Sequence, residues 1–184
     1  MSDNKTIYVS DLDGTILKND GTISKFSRAG LIKLIEAGVN ITVASARSVE
    51  SIRYALLNVP FELPVISING AFISDINSGR HLIVNEIDKN SLEDIYRYIT
   101  AHNCMPFMSS YDGSENHLYY QSLPNDGMEW YFSDRKRCGD KRLRHTNDLR
   151  KVFNEQVVSF TVSNTRRQLV NLALKMQEDF FFFL

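Results

Sequence analysis

Cysteine and proline are scarce in this chain, and long apolar runs are missing. Its two cysteines, Cys104 and Cys138, lie outside any C-x-x-C spacing and away from histidine. That excludes a disulfide framework and a thiolate zinc site, and two inert thiols are expected. No stretch approaches the ~20 apolar residues that a bilayer requires. The start, Met1 to Lys5, runs directly into a strand-like segment with no signal-type apolar region. A cytoplasmic setting with no membrane partner is therefore expected. Charge of one sign is also missing: 21 Lys and Arg face 22 Asp and Glu, for a formal net charge of −1. Such a balance gives no long-range field for nucleic acid or anionic lipid, so any anion must be bound locally. The four histidines, His81, His102, His117 and His145, show no ligand spacing, and packed or surface roles are expected for them.

What is present is an ordinary globular composition, 43% apolar and 23% charged, enough to bury a sizeable core. One stretch organises the chain. Thr6 to Leu17 is an apolar β-type run that delivers Asp11, Asp13 and Gly14 at its C-terminal end. A strand period puts the two carboxylates on one side of the extended chain, about 7 Å apart along it. One can then attack while the other handles protons, and Gly14 lets the backbone leave the strand.

Lys18 to Thr22 reads as a turn. Ser24 can cap a helix with Phe26, Gly30, Leu31, Leu34 and Ile35 on one face, closed by Gly38. A second strand, Val39 to Ala44, ends in Ser45-Ala46-Arg47-Ser48. A second helix, about 49 to 59, is stopped by Pro60 and Pro64, and a third strand, Val65 to Ile68, ends in Asn69-Gly70-Ala71. Three strands joined by two helices imply a βαβαβ unit with a parallel sheet. The strand ends at 11–15, 45–48 and 69–71 should line one rim, where such sheets bind ligands. From about Ser74 the pattern changes to a turn at 75–79, a strand at 81–87, and a helix at 90–102. Strands near 106–111 and 117–122, helices around 126–137 and 147–154, a strand at 156–162 and a helix at 165–178 complete a small, largely antiparallel α+β domain. The domains are expected at 1–76 and 77–184.

Asp11-Leu12-Asp13-Gly14-Thr15 after an apolar strand resembles the first signature of the haloacid dehalogenase-like phosphohydrolases. Ser45 and Arg47, with Ile66-Ser67-Ile68-Asn69-Gly70-Ala71, resemble the second signature and third-strand end of the Cof-type subfamily, and the resemblance covers essentially the whole chain. It implies an α/β fold: a partial Rossmann-like parallel sheet core with an inserted α+β cap domain. It also implies a Mg²⁺-dependent phosphomonoester hydrolase acting on small phosphorylated metabolites through an aspartyl-phosphate. By that resemblance Asp11 is the nucleophile and Asp13 the acid and base. Both help hold the metal, Asp11 by its carboxylate and Asp13 by its backbone carbonyl. Gly14, Thr15, Ser45, Arg47, Asn69 and Gly70 serve the phosphate, Ser45 by hydrogen-bonding a phosphoryl oxygen and Arg47 through a planar fork that suits phosphate.

The D-x-D-G-T run has two other readings. An acidic turn needs Asp and Gly for geometry alone. A calcium loop needs glycine at the sixth position, where Ile16 stands. The resemblance also calls for a downstream lysine and a G-D-x-x-N-D segment. Gly139-Asp140-Lys141-Arg142 is followed by Leu143-Arg144, and Asn147-Asp148 reads most simply as a helix cap. The chain is thus expected to stop within the cap, leaving the first strand as an open apolar edge, and impaired turnover follows. A catalytically inactive remnant or a phosphate-metabolite binding module is the alternative. A basic stretch at 135–144 preceded by Trp130 reads as a solvated cap face rather than a nucleic-acid surface.

Overall fold

A computed structural model describes residues 6–57, 59–137 and 139–179. Cys138 and the terminal Phe180 to Leu184 lie outside the described residues. The chain divides into two compact units, residues 1–85 and 86–184. Residues 77–85, expected in the second domain, therefore pack with the first.

The first unit runs β1 (Tyr8–Ser10), α1 (Lys25–Glu36), β2 (Ile41–Val43), α2 (Val49–Leu56), β3 (Val65–Ser67), β4 (Phe72–Ser74) and β5 (His81–Val84). β1 pairs parallel with β2, and a parallel bridge between Ala44 and Ile66 carries the sheet on to β3. This is the expected βαβαβ arrangement. β4 and β5 then add antiparallel strands around the Asp75–Gly79 turn. β4 is an addition to the sequence reading, because only three residues separate the turn at its start from the turn at its end. The two helices bury Leu31, Ile52, Ala55 and Leu56 against Leu12, Val43 and Val65.

Ser24 caps α1, its hydroxyl accepting from the Ser27 N–H at 2.9 Å, and Gly38 follows the helix at φ 78°. One expectation fails here. Phe26 is 89% exposed and Leu34 45% exposed. Five residues of helix turn the chain through about 500°, so Phe26 lies roughly 140° from the stripe centred on Leu31. Among the described residues β1 pairs only with β2, and Ile7, Tyr8 and Val9 are exposed.

The second unit runs α3 (Lys89–Ala101), β6 (Pro106–Tyr111), β7 (Asn116–Tyr120), α4 (Asp126–Arg137), β8 (Leu143–His145), a 3-10 segment (Leu149–Asn154), β9 (Gln156–Val162) and α5 (Arg166–Asp179). Its sheet has the order β8-β7-β6-β9, antiparallel except for the β7–β8 pair. Strand alternation feeds two cores. Phe107 and Leu118 meet Met128 of α4, while Met108 and Val157 meet Leu92, Tyr96, Leu149 and Val152. A third cluster joins Ile99, Cys104 and Leu172.

Two expectations change. The helix expected at 147–154 is a 3-10 segment capped by Asp148, whose carboxylate accepts from the Arg150 N–H at 3.0 Å. The basic stretch runs into β8, and most of its arginines are engaged locally. Arg135 and Arg137 pair with Asp134, and Arg142 pairs with Asp140 at 2.6 Å.

Glu155 ties this unit together. Its carboxylate accepts from Ser110 Oγ at 2.6 Å and Tyr119 OH at 2.8 Å, with His117 Nδ1 at 3.0 Å. Burial pushes its carboxyl up, but these hydrogen bonds outweigh that and hold it below the ordinary value. Burial and the same carboxylate push the Tyr119 hydroxyl up to about 12.

Two outcomes are expected. Leu12→Ala empties a fully buried position and should cost about 2–5 kcal/mol in urea denaturation, whereas Phe26→Ala should change stability by under about 0.5 kcal/mol. Because the folded Glu155 carboxyl lies below its unfolded value, its contribution is complete above the unfolded pKa and disappears as pH falls through the folded one. Glu155→Gln should therefore lower the melting temperature at neutral pH, and the deficit should shrink on acidification below about pH 4.

Candidate active site

The C-terminal ends of β1, β2 and β3 carry every residue expected at the site. At the end of β1 the buried Leu12 acts as a post. Its carbonyl accepts from the N–H groups of Thr15, Ile16 and Leu17 at 3.3, 3.1 and 2.9 Å. That single turn, opened by Gly14 at φ 78°, leaves Asp11 and Asp13 on the exposed side while Leu12 anchors the core. Thr15 Oγ1 donates to Asp11 Oδ2 at a long 3.4 Å. The chain then forms a small hairpin closed by the Leu17–Ile23 bridge. Asp20 holds its turn, accepting from Lys18, and from the Thr22 N–H and hydroxyl, and these donors bring its carboxyl down to about 2.

The end of β2 is docked on the end of β3 through the main chain. The Ser45 N–H donates to Ile66 O at 3.0 Å, Asn69 N–H to Ser45 O at 3.1 Å, and Ile68 N–H to Arg47 O at 3.1 Å. These bonds require three consecutive left-handed residues, Ile68, Asn69 and Gly70, at φ 48°, 54° and 91°. Asn and Gly tolerate that region, but a β-branched residue does not, so Ile68 is strained. Nothing in the sequence marks Ile68, because its residue type argues for extended backbone. The Ser45 hydroxyl oxygen accepts from the Arg47 N–H at 3.2 Å, which orients the hydroxyl and leaves its proton to donate elsewhere.

Across the rim, Arg47 Nε donates to Asp13 Oδ2 at 2.8 Å and Nη2 to Asp13 Oδ1 at 2.7 Å, a bidentate pair between residues 34 positions apart. Nη1 donates to Ser51 Oγ at 3.3 Å. Gly21 makes room for the guanidinium, since a Cβ there would lie 3.2 Å from Nη2. Hydrogen bonding from Arg47 holds the Asp13 carboxyl below its ordinary value against a small burial effect, and the same pairing raises Arg47. Ser51 and Gly21 are site residues the sequence reading missed. Ser51 stands one helical turn beyond Arg47, a spacing that signals nothing until the Arg47 direction is known.

The structure therefore joins Asp13 to Arg47, Ser45 to Asn69 and Thr15 to Asp11. Among the described residues no group of three or more His, Cys, Asp or Glu side chains converges on a cation position. No described helix is long and apolar enough to cross a membrane.

The fold is an α/β one, a parallel Rossmann-like sheet followed by an antiparallel α+β unit, with two carboxylates and a phosphate-type fork on one rim. A family profile of haloacid dehalogenase-like hydrolases matches residues 8–182. The chain belongs to the haloacid dehalogenase-like hydrolases. It is 31% identical over 94 residues to the 5-amino-6-(5-phospho-D-ribitylamino)uracil phosphatase YwtE of Bacillus subtilis strain 168, a match taking in 50% of this chain and 32% of that protein.

The fold is shared with solved structures, of which two illustrate the likeness. A haloacid dehalogenase-like hydrolase from Bacteroides thetaiotaomicron superposes with a TM-score of 0.69 at 19% identity, covering 94% of this chain and 63% of that one. TM0651 from Thermotoga maritima gives 0.69 at 22% identity, covering 96% and 62%. The chain thus spans less than two thirds of the length of these relatives.

The strained turn separates two glycines. Gly70→Ala meets no atom within 4 Å but must hold φ 91°, and should destabilise by about 1–2 kcal/mol. Gly30→Ala, equally open and within α1, should stabilise by about 0.5–1 kcal/mol. Chemical denaturation of the two variants reads these opposite signs.

Proposed function

We propose that this rim belongs to a phosphatase for small phosphorylated metabolites and works by nucleophilic attack of Asp11. The observation that carries the proposal is the bidentate Asp13–Arg47 pair beside Asp11. A planar fork suited to phosphate and a second carboxylate stand together at the ends of two parallel strands.

In this reading the Asp11 carboxylate forms a bond to phosphorus while the ester P–O bond breaks. Asp13 delivers a proton to the departing oxygen and later takes one from the water that hydrolyses the aspartyl-phosphate. The Ser45 hydroxyl, with its oxygen already accepting from Arg47 N–H, donates to a phosphoryl oxygen. Gly14 and Thr15 border the phosphate, and Asn69 and Gly70 form the floor that fixes the Ser45 and Arg47 main chain.

The donor chemistry fits Mg²⁺. The Asp11 carboxylate and the Asp13 backbone oxygen are hard ligands, and Mg²⁺ commonly pairs one or two carboxylates with water and substrate phosphate. Bound there, the cation would screen the repulsion between the Asp11 carboxylate and the phosphoryl group. Both oxygens of the Asp13 side chain already accept from Arg47. The name of the Bacillus subtilis relative, a phosphatase of a phosphoribityl compound, supports a phosphorylated metabolite as substrate. That both Asp13 oxygens are held by Arg47, with the carboxyl lowered, favours a second reading, a module that binds phosphorylated metabolites without turnover.

Hydrolysis of p-nitrophenyl phosphate by the purified chain with Mg²⁺ tests the first reading. Slow release is expected from the wild type, falling by at least about a hundredfold in Asp11→Asn. Release that survives that substitution contradicts Asp11 as nucleophile. Phosphate binding without Asp11-dependent release selects the second reading.

A further inference from the structure

We propose that Arg47 is a shared clamp. In the free protein the Asp13 carboxylate holds its fork, and an incoming phosphoryl anion takes the fork over and releases Asp13. The proposal rests on the rim being a phosphoryl site, and it adds that Asp13 competes with the ligand for the same donors.

The geometry makes the two acceptors alternatives. Nε and Nη2 present one bidentate edge, and both of its donors are on Asp13 at 2.8 and 2.7 Å. A phosphoryl group takes the same parallel pair of N–H bonds, so one edge cannot serve both. The root of Arg47 is fixed, because its carbonyl accepts from Ile68 N–H at 3.1 Å and its N–H donates to Ser45 Oγ at 3.2 Å. The head has a secondary hold at Ser51 Oγ, 3.3 Å from Nη1, and lies close against Gly21, where a Cβ would stand 3.2 Å from Nη2. A fixed root with an adjustable head lets the fork change partners without moving the strands.

The strengths decide the direction of exchange. Arg47 and Asp13 side chains are 27% and 55% exposed, so solvent screens the pair and weakens its hold. A phosphate dianion carries more charge than one carboxylate and can win the fork. Linkage then requires that Asp13 weaken anion binding by the factor with which the anion weakens the Asp13–Arg47 pair. Asp13 in this account gates access to Arg47, in addition to any role it has in proton transfer.

Calorimetric titration with inorganic phosphate tests this on the full chain and on Asp13→Asn, Arg47→Ala and the double variant, with thermal melts verifying that each folds. Asp13→Asn should bind phosphate about fivefold more tightly than the wild type. In the Arg47→Ala background the same substitution should give a markedly smaller gain, which separates competition for the fork from simple removal of a negative charge. Arg47→Lys keeps the charge but lacks the fork, and it replaces Arg47→Ala if that variant fails to fold, with the same expectation. Equal gains in both backgrounds, or no gain at all, overturn the shared clamp while leaving the phosphoryl site standing. Absence of phosphate binding in the wild type and every variant overturns the clamp together with the site on which it rests.

Discussion

The bidentate pair between Asp13 and Arg47 is the interaction through which the rim acquires a shape. It joins the turn after β1 to the loop after β2. Everything near it follows from making that meeting geometrically possible. Leu12 is buried so that its neighbours can be exposed, and its carbonyl gathers three N–H groups into one turn. Ile68, Asn69 and Gly70 accept left-handed backbone so that the loop carrying Ser45 and Arg47 can be pinned from behind. The strain at Ile68, about 1–3 kcal/mol, persists only where surrounding bonds over-determine it, and two of those bonds end on Ser45 and Arg47.

Much of this was legible in the residues. The parallel βαβαβ order follows from three apolar runs and two capped helical patterns, and the site follows from which residues end the runs. Asp11, Asp13, Ser45, Arg47, Asn69 and Gly70 all fall on those ends because a parallel sheet sends all its C-terminal ends to one side. What could not be read depends on directions that appear only in three dimensions. Gly21 looks like a turn glycine, and its contact with Arg47 depends on the small hairpin folding back over the rim. Ser51 looks like any serine in the first turns of a helix. Ile68 runs against its own backbone preference, so its type points away from its role. Phe26 fits the helical spacing yet faces solvent, because spacing alone does not say where the centre of a helix's buried stripe lies, whereas Leu31 and its contacts do.

The second unit shows the same contrast. Its strand β9 and helices α3 and α4 coincide closely with their apolar patterns, whereas β8 overlaps the end of a basic stretch whose charges obscure a three-residue strand. Pairing of Arg135 and Arg137 with Asp134, and of Arg142 with Asp140, engages three of its arginines locally. The half-buried polar centre at Glu155 could not be foreseen, since Ser110, His117 and Tyr119 reach it from two strands of the sheet. A half-buried carboxylate is tolerated there because its hydrogen bonds replace the water it has lost.

The central claim is that the rim presents Asp11 as a nucleophile toward a phosphoryl group, with Arg47 and Asp13 coupled beside it. The most direct measurement is a crystal structure of the full chain grown with Mg²⁺ and beryllofluoride, which mimics a phosphoryl group bonded to a carboxylate. The account predicts a beryllofluoride group on the Asp11 carboxylate within hydrogen-bond distance of the Ser45 hydroxyl, with the Arg47 fork turned from Asp13 toward it. Beryllofluoride absent from Asp11, or bound there with the Arg47–Asp13 pair intact and Ser45 out of reach, would contradict it.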